Sequence, residues 1–311
     1  MRLRLKSFIA FSFLSVLCLY CLLTVNFIFP NESLFPSSVP PSTLILIPVI
    51  NTNPRRQRRL QQNICDLVYP AKSGVEITFS ADLTSAALIS LPALVECGYT
   101  ENNLSVILEK SDEDELQPKE AEMRHAYGSQ AARRAKIAQA RNNLLRSSLR
   151  ARHNHVYWLD SDLLNFPVDS FRLLENSGFD VAVPLCANSD GHGVYDLNTW
   201  RETDESKRNI KIMDESGRED EPIFEGYGKQ TFREGIGSIK DRAGDSRVEY
   251  GVEVDGVGGT MIYSAADVYR SGVEFATEVF EHCLETEGFA KIAKSKGWKV
   301  GALPNLVISH A

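Results

Sequence analysis

Apolar positions along the chain follow two patterns: one long uncharged block near the start, then short apolar runs separated by segments of mixed polarity. The block, Phe8 to Phe29, reads FIAFSFLSVLCLYCLLTVNFIF. At helical rise it is about 33 Å long, enough to cross the hydrocarbon core of a bilayer. A cleaved signal peptide would have a shorter apolar core followed by a small-x-small site, whereas Asn26-Phe-Ile-Phe-Pro30 stands here. The pattern therefore predicts a single transmembrane helix over residues 8–29. Arg2, Arg4 and Lys6 make residues 1–7 a cytoplasmic tail and place the chain beyond the anchor in the secretory lumen. Residues 30–42, PNESLFPSSVPPS, are rich in Pro and Ser and cannot pack a core, so they read as a luminal stem.

From residue 43 to residue 311 the pattern is that of one α/β domain. STLILIPVI (Ser42 to Ile50) is a continuous, β-branched apolar run and predicts a buried strand. Pro54, capped by Asn53, opens a helix through RRQRRLQQNICDLVY. GVEITFS predicts a second strand, TSAALISLPALVEC a helix despite Pro92, and LSVILEK a third strand. Glu120 to about Arg150 has helical character. Ala131, Ala135, Ala138, Leu145 and Leu149 suit its packed side, and a solvated face accounts for Arg133, Arg134, Lys136, Arg141 and Arg146. HVYWL is the next strand, Val168 to Gly178 a helix, and FDVAVPLC a strand. Between Ala187 and Tyr250 no period persists, and a stretch of that length reads as functional loop or lid. Gly258 to Gly272 predicts a strand leading into a helix, Leu284 to Gly297 a helix, and WKVGALPNLVISHA a final strand or two. Such alternation predicts a mostly parallel central sheet with helices on both faces.

A net charge of −7 argues against nucleic-acid binding, which needs a basic face to displace counterions from phosphates. Cys18 and Cys21 fall in the anchor. Cys65, Cys97, Cys186 and Cys283 make no zinc spacing and leave both a structural disulfide and buried thiols open. Asn31-Glu-Ser33 and Asn103-Leu-Ser105 are glycosylation sequons.

The chemistry concentrates at HVYWLDSDLLNFP, His155 to Pro167. A bare Asp-x-Asp is expected about once by chance in a chain this long, and Asp112-Glu-Asp114 in the acidic loop is a second instance. Asp160 and Asp162 differ from that twin because they end a buried strand, at the carboxyl edge where parallel α/β sheets bind ligands. Two such carboxylates repel, and a hard divalent cation relieves the repulsion while leaving positions open for phosphate oxygens. Capping of the helix near Pro167 is the competing role. His310, closing the apolar run NLVISH, offers an imidazole of the kind manganese accepts beside carboxylates. VEVDGVGGT holds Asp255 and three glycines before a strand, where close approach to a ligand and a tight turn both remain open. Glu285 and Glu287 stand near the start of a helix, as its dipole favours. An EF-hand, a P-loop and a phosphoaspartyl hydrolase all fail on spacing.

Taken in order, RRAKIAQARNNLL, HVYWLDSDLLNFP, FDVAVPLC, YDLNTW, FEGYGK, VEVDGVGGTMIYSAADVYRSG and ETEGFAKIAKSKGWKVGALPNLVISH resemble the fungal Anp1/Mnn9/Van1-type mannosyltransferases, glycosyltransferase family 62. The resemblance covers most of Ser129 to His310. It implies a GT-A-type nucleotide-sugar-binding fold, a type II Golgi membrane anchor, and Mn²⁺-dependent transfer from GDP-mannose to an α-mannoside of mannan or an N-glycan. Asp160 and Asp162 resemble the family's metal and nucleotide pair, and His310 its C-terminal metal-binding histidine. Asp255, Glu285 and Glu287 are then candidates for holding the donor sugar or acceptor hydroxyls. Arg141 is expected on the donor side, as a guanidinium suits carboxylate or diphosphate pairing. Asn51 belongs to the end of the first strand, IPVINTNP, on the nucleotide side, where the family tends to carry a charged loop. Related family members are implied as partners in a hetero-oligomeric complex, so a noncatalytic or weakly active subunit is the alternative to an enzyme. A luminal hydrolase lacks a nucleophile or second-metal ligands.

Overall fold

The computed structural model describes residues 42–49, 53–68, 72–109, 126–227, 230–243 and 251–310. The predicted anchor, nearly all of the stem, Asn51 and the Asp112/Asp114 twin lie outside them. The first half of the domain runs β1 (Thr43–Val49), α1 (Pro54–Asp66), β2 (Val75–Ala81), α2 (Leu83–Ala86), α3 (Leu91–Glu96), β3 (Leu104–Leu108) and the long α4 (Tyr127–Ser148). It continues through β4 (His155–Leu159), β5 (Leu163–Asn165), α5 (Ser170–Glu175) and β6 (Val181–Ala187). Next come β7 (Trp200–Arg201), α6 (Asp204–Glu215), β8 (Glu234–Gly235), α7 (Ile236–Ala243) and β9 (Val252–Glu253). The last elements are β10 (Met261–Ala265), α8 (Ala266–Arg270), β11 (Ala276–Phe280), β12 (Cys283–Leu284), α9 (Glu285–Ser295) and β13 (Val300–His310).

The central sheet has the order β3-β2-β1-β4-β10-β6-β13-β5, with β9 also paired to β13. It is mixed, which corrects the expectation of a mostly parallel sheet. β3, β2, β1 and β4 run parallel, as do β6 and β13. β10 is antiparallel to both its neighbours, and β13 is antiparallel to β5 and β9. An apolar run fixes burial on both faces but carries no strand direction, so the reversal of β10 left no mark in the pattern. Successive side chains of β1 and β4 enter opposite cores: Leu44, Leu46, Val156 and Trp158 one, Ile45, Ile47, Tyr157 and Leu159 the other.

Local signals explain the element ends. Asn53 accepts a bond from the Arg55 amide and Pro54 stands at the start of α1. The helix expected across Pro92 is instead two, because Ser90 caps a new start at α3. α6 lies inside the stretch without a period and is set by a capping box between Thr203 and Ser206. Cys65 and Cys97 form a disulfide that ties α1 to the end of α3, and Cys186 and Cys283 are buried thiols. Lys72 donates to the carbonyls of both bridged cysteines, at 2.6 and 2.8 Å.

In α4 the buried stripe includes Gln130, Arg134, Ala138, Arg141, Leu145 and Ser148. Steps of three and four make this one helix face. Arg134 and Arg141 therefore point inward, where the helical pattern alone gave a solvated basic face and only the family resemblance singled out Arg141.

Candidate functional site

β4 ends at Leu159, and the turn Asp160-Ser161-Asp162 leads straight into β5. The Asp160 amide donates to the Thr260 carbonyl at 3.0 Å, fastening the turn to the segment before β10. β13 pairs antiparallel with β5 so that His310 stands opposite Leu163. This register brings the His310 Nε2 to 2.8 Å from an Asp162 carboxylate oxygen. Among the described residues, Asp160, Asp162 and His310 form the group able to hold a metal ion, their ligand atoms all lying within 4.8 Å of one another. Two carboxylates and an imidazole are a donor set that Mn²⁺ accepts. The residues fit the implied ion.

Arg141 reaches this group from the buried side. Its guanidinium meets Asp160 at 3.1 Å, the Gly259 carbonyl at 3.2 Å and Glu285 at 3.5 Å. It lies over the rings of Trp158 and Phe275, and only 3% of the residue is exposed. Arg141 thus acts on the cleft through the carboxylates it holds. Burial pushes the Asp160 carboxyl up to about 7, against the pull of Arg141 and with the push of Asp162. The 29% of its side chain that stays exposed gives a cation its approach.

The glycines before β10 serve close approach within the protein. A Cβ on Gly258 would lie 2.2 Å from an Asp196 oxygen, and one on Gly259 would lie 2.9 Å from Arg141. Asp196 accepts from the Gly259 amide, the Thr260 hydroxyl, and both the amide and the side chain of Asn198. Tyr195 stacks on His310, with ring centroids 3.9 Å apart and planes 11° from parallel.

Glu285 opens α9 with φ +52°, after Glu281 at +48° and His282 at +60°. Non-glycine residues in this region cost about 1–3 kcal/mol each and persist where the surroundings dictate them. His282 is buried, and its two ring nitrogens meet the Glu221 carbonyl at 2.7 Å and Asp214 at 2.9 Å, which fixes the turn. Burial raises the Glu285 carboxyl, and Arg141, Arg134 and Arg133 oppose it.

Two other predicted residues lie in other pairings. Glu287 is fully buried, bonded to Arg134 at 2.6 Å and to the Trp200 indole at 2.7 Å. Asp255 forms an ion pair with Lys294 and accepts from the Glu202 amide at 2.8 Å. Asn51 lies outside the described residues. Sequence reasoning assigned no role to Tyr195 or Asp196, although YDLNTW was among the matching segments; the Asp-x-Asn spacing at Asp196 was an available turn signal.

The mixed α/β sheet, with an acid–imidazole cluster at the end of a central strand, has a fold of the GT-A type. A solved structure of GalNAc-T7 with UDP, GalNAc and Mn²⁺ matches 89% of this chain and 44% of its own, with a TM-score of 0.52 at 11% identity, a likeness of fold. The Anp1 sequence profile matches residues 33–278, and the chain belongs to that family. The mannan polymerase I complex VAN1 subunit of Saccharomyces cerevisiae is 38% identical over 193 residues, covering 60% of this chain and 35% of that protein. The mannan polymerase complex subunit mnn9 of Schizosaccharomyces pombe is 35% identical over 211 residues, covering 67% and 60%. The chain therefore matches only part of each relative's length, 35% of the first and 60% of the second.

Proposed function

We propose that the protein is a single-pass type II Golgi mannosyltransferase that moves mannose from GDP-mannose to an α-mannoside of mannan or an N-glycan, extending an α-1,6 chain with retention. The observation that carries this reading is the approach of Asp160, Asp162 and His310 to within 4.8 Å in an Anp1-family chain. These three residues would hold Mn²⁺. When bound, the ion neutralises the diphosphate and stabilises it as a leaving group. Arg141 holds Asp160 and Glu285 in place, and Asp196 holds the glycine turn against them. Glu285 is the carboxylate beside the cluster suited to orienting sugar hydroxyls. Retention requires the acceptor hydroxyl to approach the face that GDP leaves. A departing phosphate oxygen then takes its proton, and the chain need not supply a base.

The test is transfer by the purified protein from GDP-mannose to a short α-mannoside with Mn²⁺, beside Asp162→Ala. Undiminished transfer by the variant would sink the assignment. Relatives named as complex subunits favour a second reading, a weakly active partner of a related chain in a hetero-oligomer. Donor binding without transfer, restored by adding such a relative, would select it.

A further inference from the structure

We propose that Tyr195 is a stacking platform for an acceptor sugar ring; this rests on the glycosyltransferase reading above. His310 covers one face of the Tyr195 ring, yet the residue is 46% exposed, whereas His310 itself is 6% exposed. A ring whose only task was to back the imidazole would need no open surface.

The platform is fixed on both sides. The Tyr195 amide donates to the Cys186 carbonyl at 2.8 Å, and Val194 bridges to Ala187 at the end of β6. The next residue, Asp196, is held by the donors of Gly259, Thr260 and Asn198. A rigid aromatic presents contact area at little entropic cost.

Its surroundings suit a pyranose. Such a ring offers an apolar C–H face to an aromatic surface and hydroxyls to nearby acceptors.

Topology argues for a sugar over the nucleotide base. β3, β2, β1 and β4 are parallel, and their carboxyl edge is the crevice that such sheets give to nucleotides. Tyr195 comes after β6, which stands with β13 on the far side of β4. A ligand whose diphosphate rests on the cluster at the end of β4 therefore leaves Tyr195 to the sugar side.

Calorimetric titration of α-1,6-mannobiose into the full chain with Mn²⁺ and GDP tests the proposal. Tyr195→Ala is expected to weaken mannobiose binding about tenfold, while GDP affinity in Mn²⁺ stays within about threefold. Tyr195→Phe keeps the ring and is expected to bind mannobiose within about threefold of wild type. Unchanged mannobiose binding by the Ala variant overturns the proposal, as does no binding by wild type. An equal loss of GDP affinity also overturns it, because the ring would then serve only His310. Transfer measured on the same protein preparations, with GDP-mannose in place of GDP, separates the two readings. Mannobiose binding that depends on Tyr195 without any transfer defeats the enzymatic reading and leaves the platform standing.

Discussion

The same two helices build two charged clusters in opposite ways. α4 supplies Arg134 to one and Arg141 to the other, and α9 supplies Glu287 and Glu285. Around Glu287 the charges balance: Glu202, Glu225 and Glu287 face Arg134, Arg233 and Lys291, with Arg233 laid on the Trp200 ring. Around Asp160 they do not: Asp160 and Glu285 share Arg141, and Asp162 meets the His310 imidazole. A buried pair closed on itself needs nothing from outside. A carboxylate group short of positive charge is costly for the chain alone and becomes favourable when a cation arrives. The difference in charge balance distinguishes the two clusters more sharply than burial does, since arginines at both are buried.

The largest expected effect breaks the open cluster. Asp162→Ala should lower transfer about 10²–10³-fold, as loss of transition-state charge stabilisation does. Its melting temperature should hold or rise, because a repelling carboxylate is gone. Glu287→Ala should instead cost about 3–5 kcal/mol in urea unfolding, leaving buried cations without their partner. Equal destabilisation by the two substitutions would erase the distinction. Next in size, Mn²⁺ at about a hundredfold excess over its dissociation constant should stabilise the wild-type chain by about 2.7 kcal/mol. His310→Ala should lose most of that gain, read as a shift in melting temperature.

The smallest effect concerns a pair at the edge of the Glu287 cluster. Burial raises the Asp255 carboxyl, but Lys294 and the Glu202 amide outweigh it and hold the group below its ordinary value of 3.8. A carboxylate depressed by folding contributes stability above its unfolded value, and this is lost as pH falls through the folded one. Asp255→Asn should therefore cost about 1 kcal/mol or less near neutral pH and flatten the decline of stability below pH 3.8. An unchanged acid limb would show that the pair adds nothing.

Much of this was legible in the sequence because it depends on local pattern. β1 and β4 announced themselves by apolar runs, α1 by Asn53-Pro54, and Asp160 and Asp162 by their position after HVYWL. What was not legible depends on partners far along the chain. Glu287 and Asp255 had the composition of site residues, and only the fold pairs them with Arg134 and Lys294. Arg134 was read as surface because basic residues usually are, and Arg141 was singled out only by the family resemblance, although their seven-residue spacing had placed both on one stripe with Ala138. β5, three residues long, gives no periodic signal, yet its pairing with β13 positions His310.

That pairing makes the cluster a clock for assembly. Asp162 and His310 stand nearly half the chain length apart, and a contact over such a distance forms only after a large loop has closed. During refolding, affinity for Mn²⁺ should therefore appear late, when β13 docks against β5, and its onset would time the completion of the sheet.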